Sequence, residues 1–195
     1  CMDSIGEWEC LTIWRGEGDE LRKVYSQRYP HSVGLFYSAM TQRCGLEPNR
    51  DEYKITNMAK GAKGTYVDML QKAVIIDPLD GQMPGVHFKF NLHRGGRHIL
   101  PELKDEIEMA FATQTVYERI LKSNSDYCRK NLPSRNLIIT GGCALNKQAN
   151  QSIRADWNNL YVPKNPGDPG SCIGAVASKL KKHLDYSDKI WYNKV

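Results

Sequence analysis

Leu137-Ile138-Ile139-Thr140-Gly141-Gly142-Cys143-Ala144-Leu145-Asn146 is the stretch on which the fold turns. Consecutive apolar residues at 137–139, bounded by turn signals, have the length and composition of a parallel strand buried on both faces. The two glycines end that strand, and Ala144, Leu145, Ala149 and Ile153 follow at helical spacing. A strand that turns through Gly-Gly into a helix lets backbone approach a phosphate, where the helix dipole favours negative charge. A tight turn with no ligand is an equally good reading of the pair, which is shorter and less specific than a P-loop.

Toward the C-terminus, Leu160-Tyr161-Val162 is a second short strand, and Ile173, Val176, Leu180 and Leu184 mark a last helix. The basic run at residues 179–183 lies near the end of that helix, where cations complement the macrodipole. Toward the N-terminus, Leu103, Ile107, Ala110, Phe111, Tyr117, Ile120 and Leu121 recur after Pro101 at spacings of three and four or their multiples and predict the longest amphipathic helix. Another helix is expected from Val33, carried by Phe36, Ala39, Met40 and Cys44 and stopped by Gly45. Residues 8–14 and 21–26 are rich in strand formers, with turn residues at 15–19 between them. If residues 1–4 end another strand and residues 5–7 make a second tight turn, the opening is a three-stranded antiparallel meander. Residues from about 47 to 100 mix Gly, Pro and charge with short apolar runs and read as an irregular insertion carrying at most a small hairpin.

The predicted order is a meander, an insertion, then alternating helices and parallel strands within one domain, residues 1–195. That mixed α/β order resembles the second half of the ribonuclease H-like fold of actin-like ATPases. In open α/β sheets, ligands collect beyond the carboxyl ends of the parallel strands. The loops to inspect are therefore residues 140–146 and 163–170.

Composition narrows the class. The chain has 195 residues, 41% hydrophobic and 25% charged, with a formal net charge of +5, which is ordinary globular usage. No apolar run approaches the roughly 18 residues of a membrane span, and the first residues lack a signal-peptide pattern. Six cysteines without a C-x-x-C pair support neither a zinc ribbon nor a disulfide scaffold. They are expected to be reduced, in a cytoplasmic protein. The modest positive charge has no accompanying nucleic-acid motif, so nucleic acid is not an expected partner. The chain opens on Cys1 with no preceding turn and closes abruptly after Trp191-Tyr192, so it is expected to be cut at its start and, less strongly, at its end.

Several residues could carry chemistry. Asp168, within Asn165-Pro166-Gly167-Asp168-Pro169-Gly170, could bind a metal ion that meets nucleotide phosphates, or simply cap a helix ahead of Pro169. Asp3-Ser4-Ile5-Gly6-Glu7 sets two carboxylates around a tight turn that either faces a nucleotide or lies in solvent. Ser32 is a sensible N-cap, while His31 could play a supporting catalytic role or simply pack. The basic loop His93-Arg94-Gly95-Gly96-Arg97-His98 could receive an anion, but a mobile solvated loop is the plainer expectation.

Taken together and in order, several segments resemble one family. Asp3-Ser4-Ile5-Gly6-Glu7-Trp8 looks like the Asp-Gly-x-Gly-Glu-Trp turn of the O-carbamoyltransferases that decorate nodulation factors and antibiotics. Tyr29-Pro30-His31-Ser32-Val33-Gly34-Leu35-Phe36-Tyr37-Ser38-Ala39-Met40-Thr41, Asp51-Glu52-Tyr53-Lys54 and Ala112-Thr113-Gln114 resemble that family too. Gly141-Gly142-Cys143-Ala144-Leu145-Asn146 and the segment from Leu160 through Gly170 complete the set.

The resemblance implies the second half of an actin-like catalytic domain. Its partner would be a second domain that makes carbamoyl-adenylate from ATP and carbamoyl phosphate. The catalytic domain then passes the carbamoyl group to a small hydroxyl-bearing acceptor. A divalent metal, commonly iron, is implied, held by two histidines one helical turn apart and by the aspartate of the Pro-Gly-Asp loop. By that match Asp168 is a metal ligand, Asp3 is a nucleotide-side or catalytic carboxylate, and Gly141, Gly142 and Asn146 hold nucleotide; His31 is added as a catalytic candidate and Gly6 as a nucleotide-binding one.

The chain departs from the pattern at Ser4, where the family has glycine, and in Ile55-Thr56-Asn57-Met58-Ala59-Lys60-Gly61, which follows the family only loosely. It also lacks a histidine pair at the metal-binding spacing, so this segment alone is not expected to catalyse transfer. A noncatalytic nucleotide-binding module is the alternative reading, and a sugar-kinase-like phosphotransferase would share the fold.

Overall fold

The computed structural model describes residues 1–181 and the backbone of residues 190–192. Its opening is the expected meander: β1 (Met2–Gly6), β2 (Glu9–Glu17) and β3 (Glu20–Arg28) pair antiparallel in the order β1-β2-β3. The turns are tighter than the sequence suggested, at Glu7-Trp8 and Gly18-Asp19. Strand β2 runs on through residues 15–17 because Arg15, Gly16 and Glu17 keep their partners Arg22, Leu21 and Glu20 on β3.

The second sheet joins β4 (Asn136–Ile138) to β5 (Asn159–Val162) in parallel and β5 to β6 (Ile190–Tyr192) antiparallel. Leu137 pairs with Leu160 and Ile138 with Tyr161. Both parallel strands therefore end at one edge of the sheet. The expectation that β4 is buried on both faces is overturned: Ile138 is 63% exposed and Leu137 is half-buried. A run of apolar residues fixes a strand but does not say how many layers cover it. The two sheets meet where the Met2 N–H donates to the Thr140 carbonyl at 2.8 Å.

Helix α1 (Val33–Arg43) starts where predicted. The Ser32 hydroxyl accepts the Leu35 N–H at 3.1 Å, capping the helix, and donates to the Asp3 carbonyl at 3.0 Å, which ties the helix start to β1. Gly34 lies so close that a Cβ there would come within 2.7 Å of the Ser4 Cα. Ser4 is thus housed by a glycine on the neighbouring helix.

The insertion is more regular than expected. It contains α2 (Glu52–Met58) and α3 (Val67–Val74). Its hairpin shrinks to one antiparallel bridge between Ile75 and Phe88. Gln27 fastens the insertion to β3, its carboxamide donating to the Val86 carbonyl at 2.8 Å and accepting the Val86 N–H at 3.1 Å.

Helix α4 (Glu106–Asn131) is the axis of the core. It is capped by Asp105, whose carboxylate accepts the N–H groups of Ile107 and Glu108 at 3.0 and 3.1 Å. Met109, Val116, Tyr117 and Ile120 on it are fully buried with Phe36, Met40, Ile55, Leu70 and Leu160. Each such side chain contributes about 1.5–3 kcal/mol through burial.

The stretch after the diglycine is not one helix. A 3-10 turn (Gly142–Leu145), the short α5 (Lys147–Ser152) and a second 3-10 turn (Arg154–Asp156) replace it. The last helix, α6 (Ser171–Leu180), closes on Lys181 in the left-handed region. Leu184, Lys182 and His183, assigned above to that helix and its basic end, lie outside the described residues. All six cysteines are free thiols. No helix among the described residues is long and apolar enough to cross a membrane.

Candidate active site

Because β4 and β5 run parallel and in register, the loops that follow them emerge side by side. The Gly141 N–H donates to the Pro166 carbonyl at 2.7 Å, and a Cβ built on Gly167 would lie 3.5 Å from the Gly142 Cα. The segments at 140–146 and 163–170, chosen from sequence, are therefore in contact.

The two glycines do different work. Gly141 has φ +90°, and a Cβ there would sit 2.0 Å from the Met2 carbonyl oxygen, far inside van der Waals contact. Gly141 is thus a backbone-packing residue that lets β1 reach the corner, and its amide is already spent on Pro166. Gly142 faces a side chain instead, since its virtual Cβ has Asp3 Oδ1 as nearest neighbour at 3.1 Å. Asp3, Gly142 and Gly167 line one corner, with Asp168 on the rim.

Asp3 is half-buried, and its Oδ1 accepts the Ser4 N–H at 2.7 Å. Ser32 holds its backbone carbonyl, so the carboxylate is oriented from two directions. Cys143 stands at the same corner. Burial, and then the Asp3 charge, push its thiol up to about 12, so it stays protonated and is no nucleophile.

Asp168 is exposed and opens a 3-10 turn (Asp168–Gly170) whose start carries no side-chain cap. Helix α6 has no side-chain cap either. The capping reading of Asp168 is not realised, and its carboxylate forms no hydrogen bond or ion pair among the described residues. No three His, Cys, Asp or Glu side chains among the described residues group to hold a metal. Asp168 fits a metal as one ligand, and these residues do not complete a donor set.

Asn146 has its amide committed elsewhere. Its Oδ1 caps α5 by accepting the Ala149 N–H at 3.0 Å, and its Nδ2 donates to Gln114 Oε1 at 2.9 Å. Gly6 ends β1, where a Cβ would meet the Glu9 carbonyl at 3.0 Å, and the left-handed backbone of that turn falls on Glu7.

The His31 ring turns toward the insertion. Its Nδ1 accepts the Phe88 N–H at 3.1 Å, and the ring stands edge-on to His87 at 4.8 Å. Burial, followed by the charge of His87, lowers its pKa against an opposing pull from Asp77. None of its contacts is with Asp3 or Gly142.

Two site-shaping residues were missed as such. Gln114 bonds Asn146, and its Oε1 also accepts the Tyr37 hydroxyl at 2.7 Å. Tyr117 donates to the Cys143 carbonyl at 2.7 Å. The available signal was a polar Gln114 beside the apolar stripe of α4. A concavity of about 940 Å³, lined by Leu11, Ile13, Trp14, Leu121 and Trp157, borders this corner only through Met2, Ile139 and Thr140.

The family model for the carbamoyltransferase N-terminus matches residues 1–177. The chain belongs to the carbamoyltransferase family. An uncharacterised protein of Synechocystis is 29% identical over 202 residues, covering 94% of this chain and 33% of that protein. An uncharacterised protein of Methanocaldococcus jannaschii is 28% identical over 169 residues, covering 79% of this chain and 31% of its own length. Nodulation protein U of Rhizobium tropici is 39% identical over 66 residues, 32% of this chain and 12% of that protein. The carbamoyltransferase segment described here thus spans about a third of the relatives that it matches over most of its length.

Proposed function

We propose that the chain forms one wall of an O-carbamoyltransferase centre, in which a carbamoyl group activated as carbamoyl-adenylate, from ATP and carbamoyl phosphate, passes to an acceptor hydroxyl. The observation that supports this reading is the convergence of Asp3, Gly142 and Gly167 at the shared carboxyl edge of β4 and β5. The ribonuclease H-like, actin-like assignment draws support from the Met2–Thr140 bond, which sets the meander beside the parallel pair.

The acceptor oxygen attacks the carbamoyl carbon, the bond from that carbon to the adenylate oxygen breaks, and AMP departs with the electron pair. Asp3 takes the hydroxyl proton and releases it to water, a general-base role worth typically 10²–10⁴-fold. Gly142, lacking a side chain, leaves room for the nucleotide beside that carboxylate. The carbamoyl-adenylate-forming domain and the remaining ligands of a divalent ion held by Asp168 would come from outside this segment.

The test is ATP-dependent transfer from labelled carbamoyl phosphate by the full-length protein. Asp3→Asn is expected to lower kcat at least 100-fold, and Asp168→Asn to lower bound metal. Unchanged kcat in the first variant, or unchanged metal content and rate in the second, would overturn the corresponding role.

A further inference from the structure

A second cavity, about 370 Å³, opens between the end of β1, α1 and the 3-10 turn Leu92–Arg94. That volume falls at the small end of the range for small-molecule sites. Ser4, Ser38, Gln42 and Asn49 give its wall hydroxyl and amide groups, and His93 and Arg94 supply its basic side.

The basic loop exposes its charged side chains, as its sequence suggested, and its backbone is tied to the fold. Leu92 is buried, Asn91 Nδ2 donates to the Tyr29 hydroxyl at 2.7 Å, and the Gly96 N–H donates to Gln42 Oε1 at 3.2 Å. The turn is therefore fastened on both sides of Arg94. The Arg94 side chain makes no hydrogen bond or ion pair among the described residues, so its planar fork is presented without a partner.

Two carboxylates touch the wall from behind. Glu52 Oε1 accepts the Ser38 hydroxyl at 2.7 Å and the Asn49 N–H. Asp3 Oδ1 accepts the Ser4 N–H at 2.7 Å, which joins this cavity to the corner described above.

We propose that this cavity is the acceptor subsite, and that the acceptor is a hydroxyl-rich molecule carrying a carboxylate or phosphate, such as a uronic acid or a sugar phosphate. A guanidinium matches either anion in two parallel hydrogen bonds, while the Ser, Gln and Asn groups suit ring hydroxyls. Ser4, which lines the cavity, is the chain neighbour of Asp3, the candidate base. The acceptor assignment rests on the carbamoyl-transfer reading; the binding assignment does not.

Calorimetric titration of the full-length protein with glucuronic acid, glucose 6-phosphate, glucose and inorganic phosphate tests it. Either anionic sugar is expected to bind about ten-fold or more tightly than glucose. Arg94→Ala should abolish that preference without changing glucose affinity, and Arg94→Lys should restore only part of it. Preference for one anionic sugar over the other identifies the carboxylate or the phosphate as the recognised group. Equal affinity for glucose and both anionic sugars, an unaffected Arg94→Ala variant, or inorganic phosphate binding as tightly as the sugars would each overturn the subsite.

Asp3→Asn separates the two readings, because it should halt transfer and leave sugar affinity unchanged. Sugar binding in a protein that never transfers carbamoyl sinks the acceptor role and keeps the binding site. Transfer to anionic acceptors at an unchanged rate in Arg94→Ala sinks the subsite and keeps the enzyme.

Discussion

The side-chain amides of Gln114 and Asn146 are bonded to each other through both pairs of atoms, Asn146 Nδ2 to Gln114 Oε1 at 2.9 Å and Gln114 Nε2 to Asn146 Oδ1 at 3.2 Å. The pair locks the turn after Gly142 to the central helix α4. Gln114→Ala leaves the Tyr37 hydroxyl and the Asn146 amide without that partner. It is expected to cost about 1–3 kcal/mol, read by urea denaturation.

The neighbouring glycines should respond differently to a single methyl. Gly141→Ala combines φ +90° with a collision against the Met2 carbonyl and is expected to destabilise by at least about 2 kcal/mol. Gly142→Ala meets only Asp3 Oδ1, at 3.1 Å. It should keep the melting temperature near that of the parent while weakening nucleotide binding and transfer.

Acid should loosen the contact between the insertion and α4. Glu108 accepts the Lys63 N–H and both the N–H and hydroxyl of Thr65, the last two at 2.8 and 2.9 Å. The bond from the Lys63 backbone is the first cause holding its carboxyl below the ordinary value of 4.5. The unfolded chain thus binds the proton more readily. The stabilisation is fully present above pH 4.5 and is lost as pH falls through the folded pKa. Glu108→Gln should flatten the acid limb of the stability curve, measured by denaturation between pH 2 and 6.

His31 should be a neutral ring with its proton on Nε2, because Nδ1 accepts the Phe88 N–H. Nitrogen chemical shifts at pH 7 read this directly. Its pKa lies below the ordinary 6.5, first through burial. Its contribution is therefore whole above that value and declines as pH drops toward the folded pKa. In His31→Gln that segment of the pH–stability profile should disappear.

The meander, α1 and α4 were legible because each is long enough for its period to repeat, and the Ser32 cap was legible from residue type. The insertion helices were not: α2 runs seven residues with one buried side chain, Ile55, too short for a 3.6-residue pattern to rise above Gly61 and Gly64. Ser123, Asn124 and Ser125 near the C-terminal end of α4 are polar by residue type, yet all three are buried. They accept Gly81 N–H, Gly85 N–H and Trp157 Nε1 respectively, partners that lie far away along the chain. At the candidate site, the loops were legible from topology and glycine spacing. The division of labour between Gly141 and Gly142 was not, because sequence does not show what approaches an absent side chain.

Thr140, Gly141 and Gly142 are consecutive, and each meets a different segment: Thr140 bonds Met2, Gly141 bonds Pro166, and Gly142 faces Asp3. Surface loops ordinarily tolerate changes in length. This one has no slack, because adding or removing a single residue would pull at least one of the three out of reach. Length variation among homologues should gather in the insertion and spare this corner.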